Sequence, residues 1–535
     1  MQATLEERFA VPGAFLVGLL FIATLIFWIS LPPAQDYPNH LARYWLIAGG
    51  ASVPPTSSMF AIDWRYASTN IGADLIVALL TGVVPYWVAG KLLLVGAFAG
   101  PPAAAAWLNR ILFGRWTWWP LSFLLLAWTT TSVYGLVNYQ LSLMAALLFA
   151  CLDTLILWSS APKFVARVVF GAASLIIHPF GLVFYILLLL ALTIGQRWSG
   201  LLHRKRLLQI ARDAVWPILA GIIPVACLLV LAPNPPGEHE IGGVSYFMRG
   251  GFSPWRLFLT VASPFVTYRI WVDLLFFAPI LAIYLYALMT RKATTHAGML
   301  TIGLITATLS LFMPVKVGDA GGVDRRLPLM ATYLLFAGAL PEPFSNRSLG
   351  RAAAAGVFGI AVARTLWIGA IWLAREEDVR AVEAALSEAH VGAAILEVQS
   401  EPADIATAPI GRYLPAAPAD RRQPTLIHVP VMAIPWRKAF VPTLFAVPGQ
   451  QPVRVLPPWA DLKSPSLGTP DVHVLDASGA PDQMQAFPYL SDWREKFEYV
   501  IAIGMDLQDF QGPFNPPQLK LVADKGYARL YRIQR

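Results

Sequence analysis

The sequence predicts a polytopic α-helical membrane protein with about 11 transmembrane helices, followed by a C-terminal extracytoplasmic α/β domain. Of its 535 residues, 56% are hydrophobic and only 13% are charged, whereas an average soluble domain has about 25% charged residues. Apolar windows of roughly 17–25 residues, the length that crosses a bilayer, recur through residues 1–374. Residues 375–535 carry more charge and have no window of that length. These observations divide the chain into a transmembrane domain, 1–374, and an outer domain, 375–535.

The first apolar span covers residues 11–31. It is too long for the apolar core of a signal peptide and no Ala-x-Ala cleavage site follows it, so we expect it to remain as a transmembrane helix. The other predicted spans are near 88–109, 117–133, 138–158, 164–178, 180–196, 214–232, 270–290, 297–314, 327–341 and 352–374. Segment 71–85 is apolar but short and carries Asp74, which predicts an interfacial or re-entrant helix.

The basic residues predict the orientation of these spans. Fourteen Lys and Arg residues lie in the N-terminal tail and in short loops on one side, against eight in the much longer loops opposite. The positive-inside rule therefore predicts a cytoplasmic N-terminus and an outer loop after the first span. An odd number of spans then puts the C-terminal domain outside as well. The net charge of +8 is explained by topology and does not indicate a nucleic-acid partner.

The C-terminal domain has helix and strand patterns. Residues 375–390 repeat apolar positions at helical spacing. Lys525 and Gly526 provide a hairpin turn within the last of the β-rich runs. The predicted strands are at 394–398, 425–431, 453–456, 499–503 and 519–533.

A carboxylate, an imidazole and a guanidinium follow the first span directly, as Asp36, His40 and Arg43. Pro32 and Pro33 end the helix just before them. Ionisable groups at this depth are unfavourable unless they face protein or a water-filled cavity, so the cluster is a candidate functional site. A solvated loop that happens to carry charge is the alternative.

Other polar residues are expected on the same membrane face and can converge with this cluster. Asp36 is placed to act as a general base, and Arg325 and Arg326 are suited to hold a phosphate. The alternatives are that these arginines anchor a helix end at the interface and that His178 is a polar packing residue. The further candidates for substrate binding are Tyr134, Asn138, His178, Arg249, Arg269 and Asp324.

The sequence leaves cofactors open and argues against several classes of protein. Glu238-His239-Glu240 offers ligands that, with Asp36, suit a divalent cation. No P-loop, dinucleotide or G-x-S-x-G motif is present, which argues against a nucleotide-driven pump. Few acidic residues lie inside spans, with Asp153 and Asp273 as exceptions, which weakens a proton-coupled transporter.

The layout resembles the GT-C superfamily of integral-membrane glycosyltransferases. The resemblance rests on the N-in first helix, the Asp motif in the outer loop, the loop helix at 71–85 and the outer C-terminal domain. The Asp motif is Gln35-Asp36-Tyr37-Pro38-Asn39-His40. The chain also resembles bacterial membrane proteins of this type, with Gly135-Leu136-Val137-Asn138-Tyr139, His178-Pro179 and Asp324-Arg325-Arg326-Leu327 in matching places.

The resemblance implies that Asp36, the acid of the first outer loop, is the catalytic base. With the chemistry of the residues it leads to the hypothesis that Arg325 and Arg326 hold the lipid phosphate and that His40 and His178 line the site. It implies a polyprenyl-phosphate-linked sugar donor and a place in the bacterial inner membrane among its lipids. Tyr37 follows Asp36 where Asp-Glu is common, which argues against a two-carboxylate site in that loop. A lipid or amphiphile transporter or flippase that uses the same outer-leaflet cavity is the main alternative, and a non-catalytic scaffold is a third.

Overall fold

The structure is a computed structural model that describes residues 5–156, 159–197, 204–231, 244–245, 253–317, 320–344, 346–400, 425–464, 468–475, 487–507, 514 and 516–535. The helices are α1 (Leu5–Trp28), α2 (Tyr37–Ile47), α3 (Gly72–Leu80), α4 (Tyr86–Phe113), α5 (Thr130–Val133), α6 (Val137–Leu155), α7 (Ser160–Ile177), α8 (Pro179–Arg197), α9 (Arg204–Leu231), α10 (Pro254–Ala262), α11 (Ile270–Met289), α12 (Ala297–Ser310), α13 (Arg326–Ala337), α14 (Arg347–Leu386), α15 (Ala433–Arg437) and α16 (Trp493–Lys496). The strands are β1 (Phe60–Ile62), β2 (Val244–Ser245), β3 (Ala293–Thr295), β4 (Lys316–Val317), β5 (Ala320–Gly321), β6 (Ala339–Pro341), β7 (Ile395–Gln399), β8 (Val453–Val455), β9 (Tyr499–Ile503), β10 (Leu519–Asp524) and β11 (Ala528–Ile533).

The chain is a multi-pass helical membrane protein. Eight helices in the described ranges are long and apolar enough to cross a membrane: α1, α4, α6, α7, α8, α9, α11 and α14. Each of them matches a span predicted from the sequence. The other three predicted spans are shorter elements, so the described residues do not confirm the count of 11 full-length helices.

The three shorter elements are α12, α13 and a 3-10 helix at Trp119–Ala127. At 1.5 Å per residue, α12 and α13 are about 21 Å and about 18 Å long, less than the bilayer core. Each is flanked by a short strand: β3 precedes α12, β6 follows α13, and the two strands pair antiparallel. The 3-10 helix is buried along its whole length, as irregular backbone at membrane depth must be.

The helix bundle has two distinct ends. At the first, which we call the site end, Lys91 at the start of α4 donates hydrogen bonds to the carbonyls of Phe27 and Ile29, where α1 ends. At the far end, Asn109 near the end of α4 donates to the carbonyls of Ala337 and Ala339. The α4 helix therefore runs from the site end to the far end, and α13 ends where α4 ends.

The two acidic residues predicted inside spans are both paired with arginine. Asp273 lies 3.2 Å from Arg364, and neither side chain is exposed. Asp153 lies 2.7 Å from Arg167. Buried charges in a membrane protein need such partners because hydrocarbon does not solvate them. These two pairs join α11 to α14 and α6 to α7.

Segment 71–85, predicted as an interfacial or re-entrant helix, contains the nine-residue helix α3. Its Asp74 is buried, whereas Ile76 and Leu79 on its other face are exposed, Leu79 to 82%. This division suits a helix that lies at a membrane surface with its apolar side toward lipid.

The C-terminal domain contains a four-stranded sheet in the order β10-β11-β9-β7. The β7 and β9 strands are parallel, and β11 pairs antiparallel with β9 and β10. Four of the five predicted strand regions form strands. The fifth, 425–431, forms turns and a 3-10 helix at Val429–Met432, because Pro430 has no N–H to donate to a sheet.

Two connections hold the C-terminal domain to the site end. The α14 helix is continuous across the predicted domain boundary at 374/375. The β1 strand, in the loop after α2, pairs antiparallel with β8, with Phe60 opposite Val455. Segment 425–464 therefore lies against the first outer loop.

Candidate active site

Asp36 is the one residue between Leu31 and Tyr44 that is not buried. Its side chain is 20% exposed. It occupies the N-cap position of α2 but makes no capping hydrogen bond there. An N-cap aspartate normally accepts from the second or third helical N–H, and here Pro38 supplies no donor at the second position. The negative carboxylate still lies at the positive end of the α2 dipole.

The backbone around Asp36 is held by the turn that precedes α6. The N–H of Gln35 donates to the carbonyl of Val133 at 2.9 Å, and the N–H of Asp36 donates to the carbonyl of Tyr134 at 3.0 Å. Gly135 has φ of +75°, and a Cβ there would come within 2.9 Å of the Asp36 nitrogen. Tyr134, itself buried, thus positions Asp36 through its carbonyl, and only glycine fits beside it.

Arg43 and His40, predicted to bind substrate, form a buried cluster with Asp74. Arg43 Nε and Nη2 lie 2.7 Å and 3.3 Å from the two oxygens of Asp74, and both side chains have no exposed surface. Arg43 Nη2 also lies 2.9 Å from His40 Nδ1. Since a guanidinium only donates, Nδ1 accepts and His40 Nε2 carries the proton. His40 also hydrogen-bonds the backbone of Gly135.

Burial and charge set the protonation of this cluster. Burial, helped by the charge of Arg43, holds the pKa of His40 well below its usual value, so the ring is neutral at pH 7. Burial raises the pKa of Asp74, and the Arg43 guanidinium opposes that rise. The cluster joins α2 to α3, so Arg43 has a structural role beside the site: its ion pair with Asp74 holds the two helices together.

Asn138 also serves the start of α3. Its Oδ1 accepts from the backbone N–H of Ala73 at 2.9 Å, and its Nδ2 donates to the carbonyl of Asn70. The side chain is 2% exposed. Asn138 thereby fixes the helix that carries Asp74.

Arg326 and His178 meet at the same end of the bundle. Arg326 Nη1 lies 3.4 Å from His178 Nε2, and Nη2 donates to the carbonyl of Gly321 at 3.3 Å. The guanidinium lies over the rings of Phe180, 5.1 Å away, and Tyr139, 5.7 Å away. Arg326 has no carboxylate within 4.0 Å in the part of the chain that the structure describes. Its charge is attracted to Asp36.

The neighbouring candidates have other surroundings. Arg325 Nε lies 3.7 Å from Asp324 Oδ2, and both side chains are mostly buried. Arg269 is half-buried at the N-cap of α11, next to Tyr268, whose hydroxyl donates to the carbonyl of Pro33. The loop before Asp36 is thus held by the start of α11.

Two predictions lie outside the described residues: Arg249 and the candidate metal ligands Glu238, His239 and Glu240. Among the residues that are described, no three His, Cys, Asp or Glu side chains group as a metal site.

Sequence reasoning missed His428. Its Nε2 lies 3.7 Å from Asp36 Oδ1, and its side chain is 7% exposed. A lone histidine in the otherwise apolar run 425–432 was the available signal. The composition of that run predicts a strand, and in a strand the histidine would not be singled out as a site residue.

Together the residues at the site end form an acidic and a basic centre. Asp36 is partly exposed and can accept a proton, and Arg326 has N–H groups bonded only weakly to neutral atoms. A separate cavity of about 450 Å³ lies between the end of α2 and α3, lined by residues that include Leu46, Phe60 and Ala78. It opens on the same layer of the molecule.

No protein-family model and no curated protein matches the sequence. Two solved structures are similar to the chain: ArnT from Cupriavidus metallidurans in the apo state and bound to undecaprenyl phosphate. Each match covers 98% of this chain and 97% of the other, with 11% and 13% identity and a TM-score of 0.46. Because both TM-scores lie below 0.5, we infer function from the contacts of the site.

Proposed function

We propose that the protein is a membrane glycosyltransferase that moves a sugar from a polyprenyl-phosphate-linked donor to an acceptor at the outer face of the bacterial inner membrane. The observation that carries the proposal is that the site end holds both a carboxylate able to act as a base and a guanidinium able to bind phosphate. Asp36 has a partly exposed carboxylate, and Arg326 is buried without a carboxylate partner in the described ranges. A transferase with a lipid-phosphate donor needs both a base and a phosphate-binding cation.

In the proposed reaction, Asp36 takes the proton of an acceptor hydroxyl or amine as that atom attacks the anomeric carbon of the sugar. The bond from that carbon to the phosphate oxygen breaks, and its electron pair leaves with the lipid phosphate. Arg326 stabilises the charge that develops on the phosphate, since guanidinium groups bind phosphate oxygens by paired hydrogen bonds. The carbonyl of Gly321 accepts a hydrogen bond from Arg326, and His178 lines the site beside it. Neutral His40 holds the Asp36 region through the backbone of Gly135.

The substitution Asp36→Asn tests the assignment of the base. It keeps the shape of the side chain and removes the basic oxygen, so we expect transfer to fall by about 100-fold or more, the usual contribution of a general base. The assay uses the full chain in lipid nanodiscs with a polyprenyl-phosphate sugar and follows release of the lipid phosphate.

Asp63 provides a matched control in the same outer loop. Its side chain is 19% exposed, close to the 20% of Asp36, and it is paired with Arg65. Asp63→Asn should leave transfer unchanged. Full activity of Asp36→Asn would remove Asp36 as the base. A wild-type protein that moves lipid across vesicles without releasing lipid phosphate would favour the flippase alternative.

The orientation is proposed from the basic residues, which meet partners at the far end. Arg115 pairs with Glu342, and Lys163 lies 3.5 Å from Asp153. The positive-inside rule puts this end in the cytoplasm and the site end and C-terminal domain outside. A cysteine at exposed Ser57 should react with an impermeant reagent on intact spheroplasts, and one at exposed Ser160 should not. The reverse pattern would invert the topology.

A further inference from the structure

The C-terminal domain contributes a side chain to the site through His428. His428 lies 3.7 Å from Asp36 Oδ1, although the two residues belong to different parts of the chain. That separation is too long for a direct hydrogen bond and close enough for an electrostatic attraction when the imidazole is protonated. The two side chains are 7% and 20% exposed, so solvent screens the interaction only in part.

His428 is held in this position by packing on α2. The backbone N–H of Phe445 donates to Asn39 Oδ1 at 2.8 Å. The Phe445 ring lies 5.2 Å from the His428 ring and 6.4 Å from the His40 ring, edge-on to both. One phenylalanine thus fixes two histidines beside Asp36, and an asparagine three residues after Asp36 fixes that phenylalanine.

We propose that His428 is a positioning residue for the Asp36 carboxylate, so that the C-terminal domain completes the active site. This inference rests on the proposed function of Asp36. The imidazole faces Oδ1 and restricts rotation of the carboxylate, which keeps the base aligned with the acceptor. A base held in one orientation acts faster than one that rotates, because the alignment is established before the reaction.

Among the described residues, Asp36 and His40 are titratable groups that interact with His428, and both lie on α2 or at its start. Its own segment, 425–432, contains no other titratable side chain. A carboxylate within about 4 Å favours the charged form of an imidazole, whereas burial of the side chain favours the neutral form. The neighbouring His40 is neutral and changes this little.

A direct test is an NMR titration of the full-length protein labelled with ¹⁵N-histidine, with the His428 signal assigned from its absence in His428→Gln. Asp36→Asn should lower the pKa of His428 by about 1 unit, and Asp63→Asn should leave it unchanged. An unchanged pKa in Asp36→Asn would overturn the inference. This measurement needs no catalytic activity, so its outcome is separate from success or failure of the proposed function.

Activity provides the second test. His428→Phe keeps a ring against Phe445 but removes the polar nitrogen, and we expect kcat to fall about tenfold or more with the KM for the donor little changed. His428→Gln keeps a nitrogen donor near the Nε2 position and should recover most of kcat. If His428→Phe has wild-type kcat, or if Gln is as impaired as Phe, the positioning role is wrong.

His390 supplies the control for loss of a histidine–carboxylate contact in the same domain. Its Nε2 lies 2.6 Å from Glu498, and both side chains are exposed, to 53% and 41%. His390→Phe should leave kcat and KM unchanged. The His428 variants should also unfold at the wild-type temperature, which separates positioning from a general loss of stability.

Discussion

Arg43 and Arg326 are both buried at the site end, but they differ in what their guanidinium groups contact. Arg43 has two contacts with Asp74, at 2.7 Å and 3.3 Å, and a third with His40 at 2.9 Å. Arg326 makes its polar contacts at 3.3 Å and 3.4 Å, to a carbonyl and a histidine ring. Each guanidinium has one nitrogen without a hydrogen-bond partner in the described ranges, Nη1 of Arg43 and Nε of Arg326, so the difference lies in the carboxylate.

The difference separates a structural arginine from one suited to bind a ligand. A buried cation without its own carboxylate is unfavourable unless another group offsets its charge. For Arg43, Asp74 offsets it in the free protein. For Arg326 a bound phosphate would do so, helped by the more distant Asp36. The comparison therefore predicts that changes at Arg43 reduce stability and changes at Arg326 reduce donor binding.

The largest expected effect is on stability, from Asp74→Asn. The amide has the shape of the carboxylate but leaves Arg43 buried without a negative partner. We expect the free energy of unfolding to fall by about 3–5 kcal/mol, as for other broken buried ion pairs. Denaturation of the protein in detergent micelles measures it. Wild-type stability in this variant would mean that Arg43 does not have this structural role.

The next effect is on donor binding, from Arg326→Lys. Lysine keeps the charge but loses the planar set of N–H donors. We expect the affinity for the lipid phosphate to weaken by about 1–3 kcal/mol, the scale of a charged hydrogen bond. Calorimetry with undecaprenyl phosphate in nanodiscs measures it. The unfolding temperature should change little, in contrast to Asp74→Asn.

Arg325→Lys is the matched control for Arg326 and should have the smallest effect. Arg325 lies beside Asp324 at 3.7 Å, and lysine keeps the positive charge that this carboxylate pairs with. We expect donor affinity within about threefold of wild type. If Arg325→Lys weakens binding and Arg326→Lys does not, the roles of the two arginines are reversed. If neither does, the phosphate site lies elsewhere, with Arg269 as the next candidate.

The membrane spans and the region of the site could be predicted because their signals are local. Eight of the predicted spans are helices of membrane length, and α3, β9 and the final hairpin lie where the pattern placed them. The three shorter elements could not be told from full spans, because apolar composition does not show where a helix gives way to a strand. The 3-10 helix at Trp119–Ala127 is as apolar as its neighbours.

The partners of the polar residues could not be predicted in the same way. Arg43 and Arg326 look alike in sequence, since each follows a charged or polar motif at a predicted membrane boundary. Only the fold brings Asp74 to Arg43, 31 residues away. His428 was missed because the run around it has the composition of a strand and the contact that matters is with the other domain.

The sequence by itself determined that this chain is a multi-pass membrane protein with a carboxylate at the end of its first span. The length of an apolar segment and its helical period depend only on residues close together in the sequence. The packing of the rest of the chain does not change them. Tertiary structure alone decided which arginine is neutralised, which nitrogen of His40 carries the proton, and that His428 faces Asp36. Those properties depend on burial and on distances of a few ångströms, and packing between distant segments sets both.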